Sequence, residues 1–159
     1  MNYGCITGVH RSKMYPVAAS QYFARSGGAF VYLDANGRVT LALTATATIF
    51  GYAVAGAGAG AGTDANVWLS SATAGADKVP VIRITNELEF LVPSDGTPTI
   101  AMAGNACDLI AVNDGTIQTA DIGTSTTDVL LIQDIGTKAG GSVTDVIVKV
   151  NPAKIQADT

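Results

Sequence analysis

Val39-Thr40-Leu41-Ala42-Leu43-Thr44-Ala45-Thr46-Ala47-Thr48-Ile49-Phe50 is the stretch that decides the class of fold. Its odd positions are apolar throughout, and its even positions are Thr or Ala until Phe50. Successive strand residues point to opposite faces, so a period of two predicts a strand with one buried and one hydroxyl-rich face. A helix would need apolar residues at three- and four-residue spacing, and no stretch of this chain sustains that pattern.

The flanks extend the same reading. Upstream, Phe30 to Leu33 is a short β-branched and aromatic run, and Asp34-Ala35-Asn36-Gly37 follows it. Asn-Gly supplies the positive φ angles of a tight hairpin turn. Downstream, Gly51 is expected to bend the chain before Tyr52, Ala53 and Val54. Val79 to Thr85 reads as a strand, and Pro80 near its start points to a sheet edge. Glu87 to Val92 alternates with Leu88, Phe90 and Val92 inward, and Pro93 to Pro98 is a turn. Thr99 to Met102 and Leu109 to Val112 read as short strands. Val129 to Ile132 reads as a strand buried on both faces, and Ser142 to Val150 alternates with Val146, Val148 and Val150 on one face.

Short strands at regular turn spacing predict an all-β protein, a compact antiparallel β-sandwich or barrel of jelly-roll-like form. Residues 1–28 are expected to form an N-terminal arm or a short helix, the helical candidate being Val17 to Arg25. Residues 29–159 are expected to form a single β-domain. The Ala/Gly-rich segment within 53–65 is expected to be a flexible loop, because Gly costs backbone entropy and Ala has little to bury.

Composition narrows the function. A chain of 159 residues can bury a core without disulfide staples. Only 14% of residues are charged, against about 25% in an ordinary soluble domain, so much of the surface suits coverage by neighbours. The net charge of -4 and the scattered basic residues argue against nucleic acid, which needs clustered Lys and Arg. No run is apolar and long enough for a membrane span. The opening Met1-Asn2-Tyr3-Gly4-Cys5 has no basic region followed by an apolar one, so a cytoplasmic site of synthesis is expected. Cys5 and Cys107 are then expected as free thiols, although their separation in sequence does not forbid pairing.

Chemistry-bearing constellations are weak. His10 is the only histidine, so a catalytic triad or a multi-histidine zinc site has one candidate residue, in a polar stretch. Glu87 and Glu89 would share a strand face about 7 Å apart, a spacing a glycosidase could use, but they face away from the apolar side. Asp34, Asp64, Asp95, Asp114 and Asp121 recur at turns, where Asp usually caps its own backbone; none shows a calcium-loop pattern. No enzyme activity, cofactor, metal or small-molecule substrate is expected.

Four segments together carry a resemblance: Val31-Tyr32-Leu33-Asp34-Ala35-Asn36-Gly37-Arg38-Val39, Ile49-Phe50-Gly51-Tyr52-Ala53, Phe90-Leu91-Val92-Pro93-Ser94-Asp95-Gly96 and Val148-Lys149-Val150-Asn151-Pro152. In size, Ala/Gly/Thr bias and turn-rich strands the chain resembles the small head decoration, or capsid cement, proteins of tailed bacteriophages. That resemblance implies a β-rich homotrimer on the outer capsid surface that bridges neighbouring major capsid proteins. It brings no catalytic residues. The interaction candidates are Tyr3, Tyr15, Tyr22 and Phe23 of the arm, with Trp68 as a core or interface anchor, because aromatics are often binding hot spots. A tail or fibre component and a carbohydrate-binding β-sandwich are the competing readings.

Overall fold

Runs of β-branched and aromatic residues, cut every few positions by Gly, Asp, Asn or Pro, make strands of two to seven residues and little else. The computed structural model describes residues 4–6, 11–24, 27–54, 67–112, 117–157. The strands are β1 Gly4–Cys5, β2 Ser12–Pro16, β3 Tyr22–Ala24, β4 Ala29–Leu33, β5 Val39–Leu41, β6 Gly51–Ala53, β7 Val67–Leu69, β8 Lys78–Arg83, β9 Phe90–Pro93, β10 Ala106–Val112, β11 Ile117–Asp121, β12 Leu130–Ile135 and β13 Asp145–Val150. Short 3-10 turns occupy Ile100–Met102, Gly136–Ala139 and Pro152–Lys154. The protein is all-β, with antiparallel sheets of the sandwich-and-barrel kind.

One sheet has the order β2-β8-β6-β4-β5, the other β1-β9-β13-β12-β10-β11, and β3 pairs with β7 as a separate ribbon. Both large sheets curl. In the first, β2 ends at Pro16, and the next residue, Val17, bridges to Val39 at the start of β5. In the second, β9 ends at Pro93, and Ser94 bridges to Ala120 of β11. Val17 and Ser94 still donate to the old partner, to Asp77 at 2.9 Å and Thr144 at 3.0 Å, and the next N–H groups, of Ala18 and Asp95, donate to Val39 at 2.9 Å and Ala120 at 3.1 Å on the new one.

The five-stranded sheet is buried on both faces. Val31, Leu33, Leu41, Ala53, Val79 and Val81 point into its concave side, with Phe23 and Trp68 from the β3–β7 ribbon. Phe30, Tyr52 and Ile82 point the other way, onto Phe90, Val92, Leu109, Ile132, Val146 and Val148 of the six-stranded sheet. Rings join the two sheets. Phe30 and Phe90 lie 5.1 Å apart, Tyr52 and Phe90 4.8 Å, and Phe30 and Tyr52 5.1 Å.

Side-chain amides complete β4 where its neighbours stop. Gln118 of β11 accepts from the Phe30 N–H at 2.7 Å and donates to the carbonyls of Phe30 and Ala42, both at 2.9 Å. Gln156 does the same at Leu33, accepting at 2.8 Å and donating at 2.9 Å. A buried N–H or C=O without a partner costs about 1–3 kcal/mol. Gln118→Ala is therefore expected to destabilise by about 2 kcal/mol in urea unfolding. An unchanged midpoint would show that this amide does not hold the sheets together.

Several expectations are corrected. Residues 39–50 are not one strand: β5 ends at Leu41 and a turn follows at Thr44 and Ala45. The Thr46 hydroxyl accepts from the Leu43 N–H at 2.8 Å within the turn, while the Thr44 hydroxyl accepts from Ala111 N–H of β10 at 3.1 Å. Leu43 is left exposed, while Ile49 and Phe50 are both buried, one in each core. The short helix is absent: Val17 is a bridge and Tyr22–Ala24 a strand. Thr99 to Met102 contains a 3-10 turn, not a strand.

Pro80 lies on an interior strand, not an edge. Its carbonyl accepts from Val54 N–H at 2.9 Å, so its N side faces the place where β6 has ended and no N–H is needed. Gly51 supplies close approach, not a bend: a Cβ there would meet Val81 Cγ1 at 2.3 Å. In the hairpin only Gly37 takes a positive φ, +71°, and Asp34 Oδ1 holds the turn by accepting from the N–H groups of Asn36 and Arg38. Of the Ala/Gly-rich loop, Ala53 is buried at the end of β6; residues 55–66 lie outside the described residues.

Candidate interaction surface

The five aromatic candidates do not form an exposed docking cluster. Tyr3 lies outside the described residues, as does His10. Phe23 and Trp68 are 1% and 2% exposed and stack at 5.3 Å across the β3–β7 pair. Both are core anchors of this chain: Phe23 is corrected from a surface contact of the arm, and Trp68 takes the core alternative of its core-or-interface reading. Residues 12–24 of the expected arm are likewise woven into the fold: β2 pairs with β8 and β3 with β7. Tyr15 and Tyr22 are partly buried against the same core. Tyr15 meets Phe50 edge-on at 5.2 Å, and Lys13 Nζ lies 5.4 Å from the Tyr15 ring. The sequence signal was sound for burial and blind to direction: an aromatic in a low-aromatic chain serves a core as readily as an interface.

The candidate carboxylates are dispersed. Glu87 is exposed in a turn, and β9 begins only at Phe90, so Glu87 and Glu89 do not sit on one strand face. Asp34 and Asp95 cap backbone N–H groups, Asp95 that of Ile122 at 3.0 Å. Asp64 and Asp114 lie outside the described residues. Among the described residues, no three His, Cys, Asp or Glu side chains converge as a metal site. No helix of the described residues is long and apolar enough to cross a membrane.

Asp108 is the carboxylate that sequence reasoning missed. It is buried on β10, and Oδ1 accepts from the N–H groups of Thr126, Thr127 and Asp128 at 2.9, 2.8 and 2.8 Å. Burial pushes its pKa up, but these donors outweigh burial and hold it below the usual carboxylate range. No spacing rule marks such a residue, because its partners lie about twenty positions away. Beside it, Asn105, Ala106, Ile122, Gly123, Thr124 and Ser125 line an open groove of about 330 Å³. The groove offers hydroxyls and backbone groups.

The neighbouring Cys107 is buried, and neither it nor Cys5 forms a disulfide. Strands β9, β13 and β12 separate β1 from β10. At about 4.8 Å per strand step that places the two thiols far beyond disulfide reach. Burial, and then the charges of Asp108, Asp121, Asp95 and Asp128, push the Cys107 thiol up to about 12. It stays protonated at neutral pH and is no nucleophile. Burial likewise raises the Tyr52 phenol to about 12.

The distinctive surface is the open margin at β2 and β8. Met14 stands opposite Pro80, whose carbonyl points away toward β6. The β2–β8 hydrogen bonds therefore fall at Lys13 and Tyr15, and the N–H and C=O groups of Ser12 and Met14 turn to the outer side of β2, where no described strand pairs with them. Met14 is 53% exposed and Val54, beside Pro80, 42%. Arg11, Lys13 and Lys78 are exposed on or beside the same two strands. An edge of this kind can add a strand or receive an apolar, acidic neighbour. No family model, curated protein or solved structure matches the chain.

Proposed function

We propose that this chain is a structural virion protein of a tailed bacteriophage that acts on the outer surface of an assembled capsid. It binds there as a homotrimer and stabilises the shell by bridging neighbouring major capsid proteins. It is made in the host cytoplasm, and it engages no nucleic acid, membrane or small-molecule substrate. The observation that carries this reading is the β2–β8 margin: an edge strand that no described strand pairs on its outer side, bearing exposed Met14, with exposed Val54 across Pro80, in a low-charge β-surface. Such a surface is suited to lateral protein contacts. The mechanism is linkage: a protein that binds only the assembled lattice stabilises it by mass action, and several linked copies add avidity.

The test is co-sedimentation with purified expanded capsid shells, followed by thermal disruption of the shells. Binding that saturates at a fixed ratio to the major capsid protein, with shells surviving to higher temperature, is the expected result. A protein that leaves shells unbound and unprotected overturns the reading. Saturable binding to glycans, or incorporation into tails instead, would replace it with the corresponding role.

A further inference from the structure

We propose that the β2–β8 margin of one copy docks on the β10–β11 margin of a second copy, in a head-to-tail contact. This rests on the homo-oligomer part of the function proposed above, and names the surfaces that would form it.

Charge segregation carries the argument. Arg11, Lys13 and Lys78 are three of the chain's nine Lys and Arg residues, and β2 and β8 hold no acid. Strand β11 holds Asp121, and neither β10 nor β11 holds a basic residue; Asp108, opposite Asp121, is buried and engaged by the N–H groups of Thr126 to Asp128. Asp95 and Asp128 lie close by, near enough to act on Cys107. Arg11 and Lys78 form no ion pair with a described residue. Each margin also exposes apolar surface. Met14 and Val54 lie on the basic one, and Ile117, 46% exposed, lies on the acidic one. Leu43 is beside it, since Gln118 binds the carbonyl of Ala42. Apolar residues flanked by opposite charges give both the burial and the steering that association needs.

Symmetric pairing of two β2 edges is the rival arrangement, and the strand opposes it. Centred on Met14, it would set Ser12 against Pro16, which has no N–H to give, and bring basic residues against basic residues. A head-to-tail contact uses two different surfaces and closes as a ring when its rotation allows, a trimer being one such ring.

Sedimentation velocity over a range of protein and salt concentrations tests this without any capsid. The wild-type protein is expected to self-associate, and less so at high salt. The double variant Lys13→Glu/Lys78→Glu and the variant Asp121→Lys should each associate about tenfold more weakly or worse. Circular dichroism melting checks that each is folded. Mixing the two variants should restore association, because each keeps the surface the other has lost and the two altered surfaces attract. A wild-type monomer, variants that associate as wild type, or a mixture that stays monomeric would overturn the proposal. A monomer that still saturates shells would sink this contact and leave capsid binding standing; an oligomer that ignores shells would do the reverse.

Discussion

Phe90→Ala is expected to destabilise the protein by about 3–5 kcal/mol, the largest single loss at any one side chain here. Phe90 is fully buried and packs against both Phe30 and Tyr52, so it closes the contact between the two large sheets. Its removal leaves a cavity that neither sheet can fill, since Phe30 and Tyr52 are also held by backbone pairing of β4 and β6. The ring contacts add about 0.5–1.5 kcal/mol each beyond the buried area. For a chain of this size, a loss on that scale lowers the melting temperature by about 10 °C. Val143→Ala, at a 67% exposed position, should change stability by about 0.5 kcal/mol or less. Melting followed by circular dichroism reads both. A Phe90→Ala loss no greater than that of Val143→Ala would mean the sheets are not joined through this residue.

Asp108→Ala is expected to cost about 3 kcal/mol at neutral pH, because three N–H groups lose an ionised acceptor. Those groups belong to Thr126, Thr127 and Asp128, which lead into the buried Val129 and β12. The effect carries a pH signature. Asp108 titrates below the ordinary value of 3.8 when folded. A depressed carboxyl stabilises the fold above its unfolded pKa, and that stabilisation is lost as pH falls below about 3.8 and through the folded value. Asp108→Asn removes the charge and keeps the shape, so its deficit should be full at pH 7 and shrink toward pH 3. Urea unfolding of both proteins at pH 7 and pH 3 reads the change. A deficit unchanged by pH would show that the ionised carboxylate is not what binds the loop.

The readable parts of this chain were those where local chemistry and tertiary demand agree. Leu88, Phe90 and Val92 are buried as their alternation required, and so are Val146, Val148 and Val150. The Asp34-to-Gly37 turn closes the β4–β5 hairpin where expected. Residues 39–50 had the cleanest alternation and the least strand, because Thr can bond its own backbone and Ala has almost nothing to bury. The candidate site fared differently. Tyr15, Phe23 and Trp68 were recognisable as anchors, but nothing local says whether an anchor faces its own core or a neighbour. The margin at Met14, Val54 and Pro80 was not recognisable, because those residues lie far apart in sequence and meet only through the β2–β8 and β6–β8 pairings.

The amino-acid sequence by itself determined that this protein is built of short antiparallel strands with a core, since strand period and turn chemistry act over a few residues. Tertiary structure decided the rest. It set which strands meet, that β2 and β9 each switch partners after a proline, and that Gln118 and Gln156 complete β4. It also buried Phe23 and Trp68 while leaving Met14 and Val54 exposed. Burial depends on what covers a residue, and here the cover comes from strands distant in the chain.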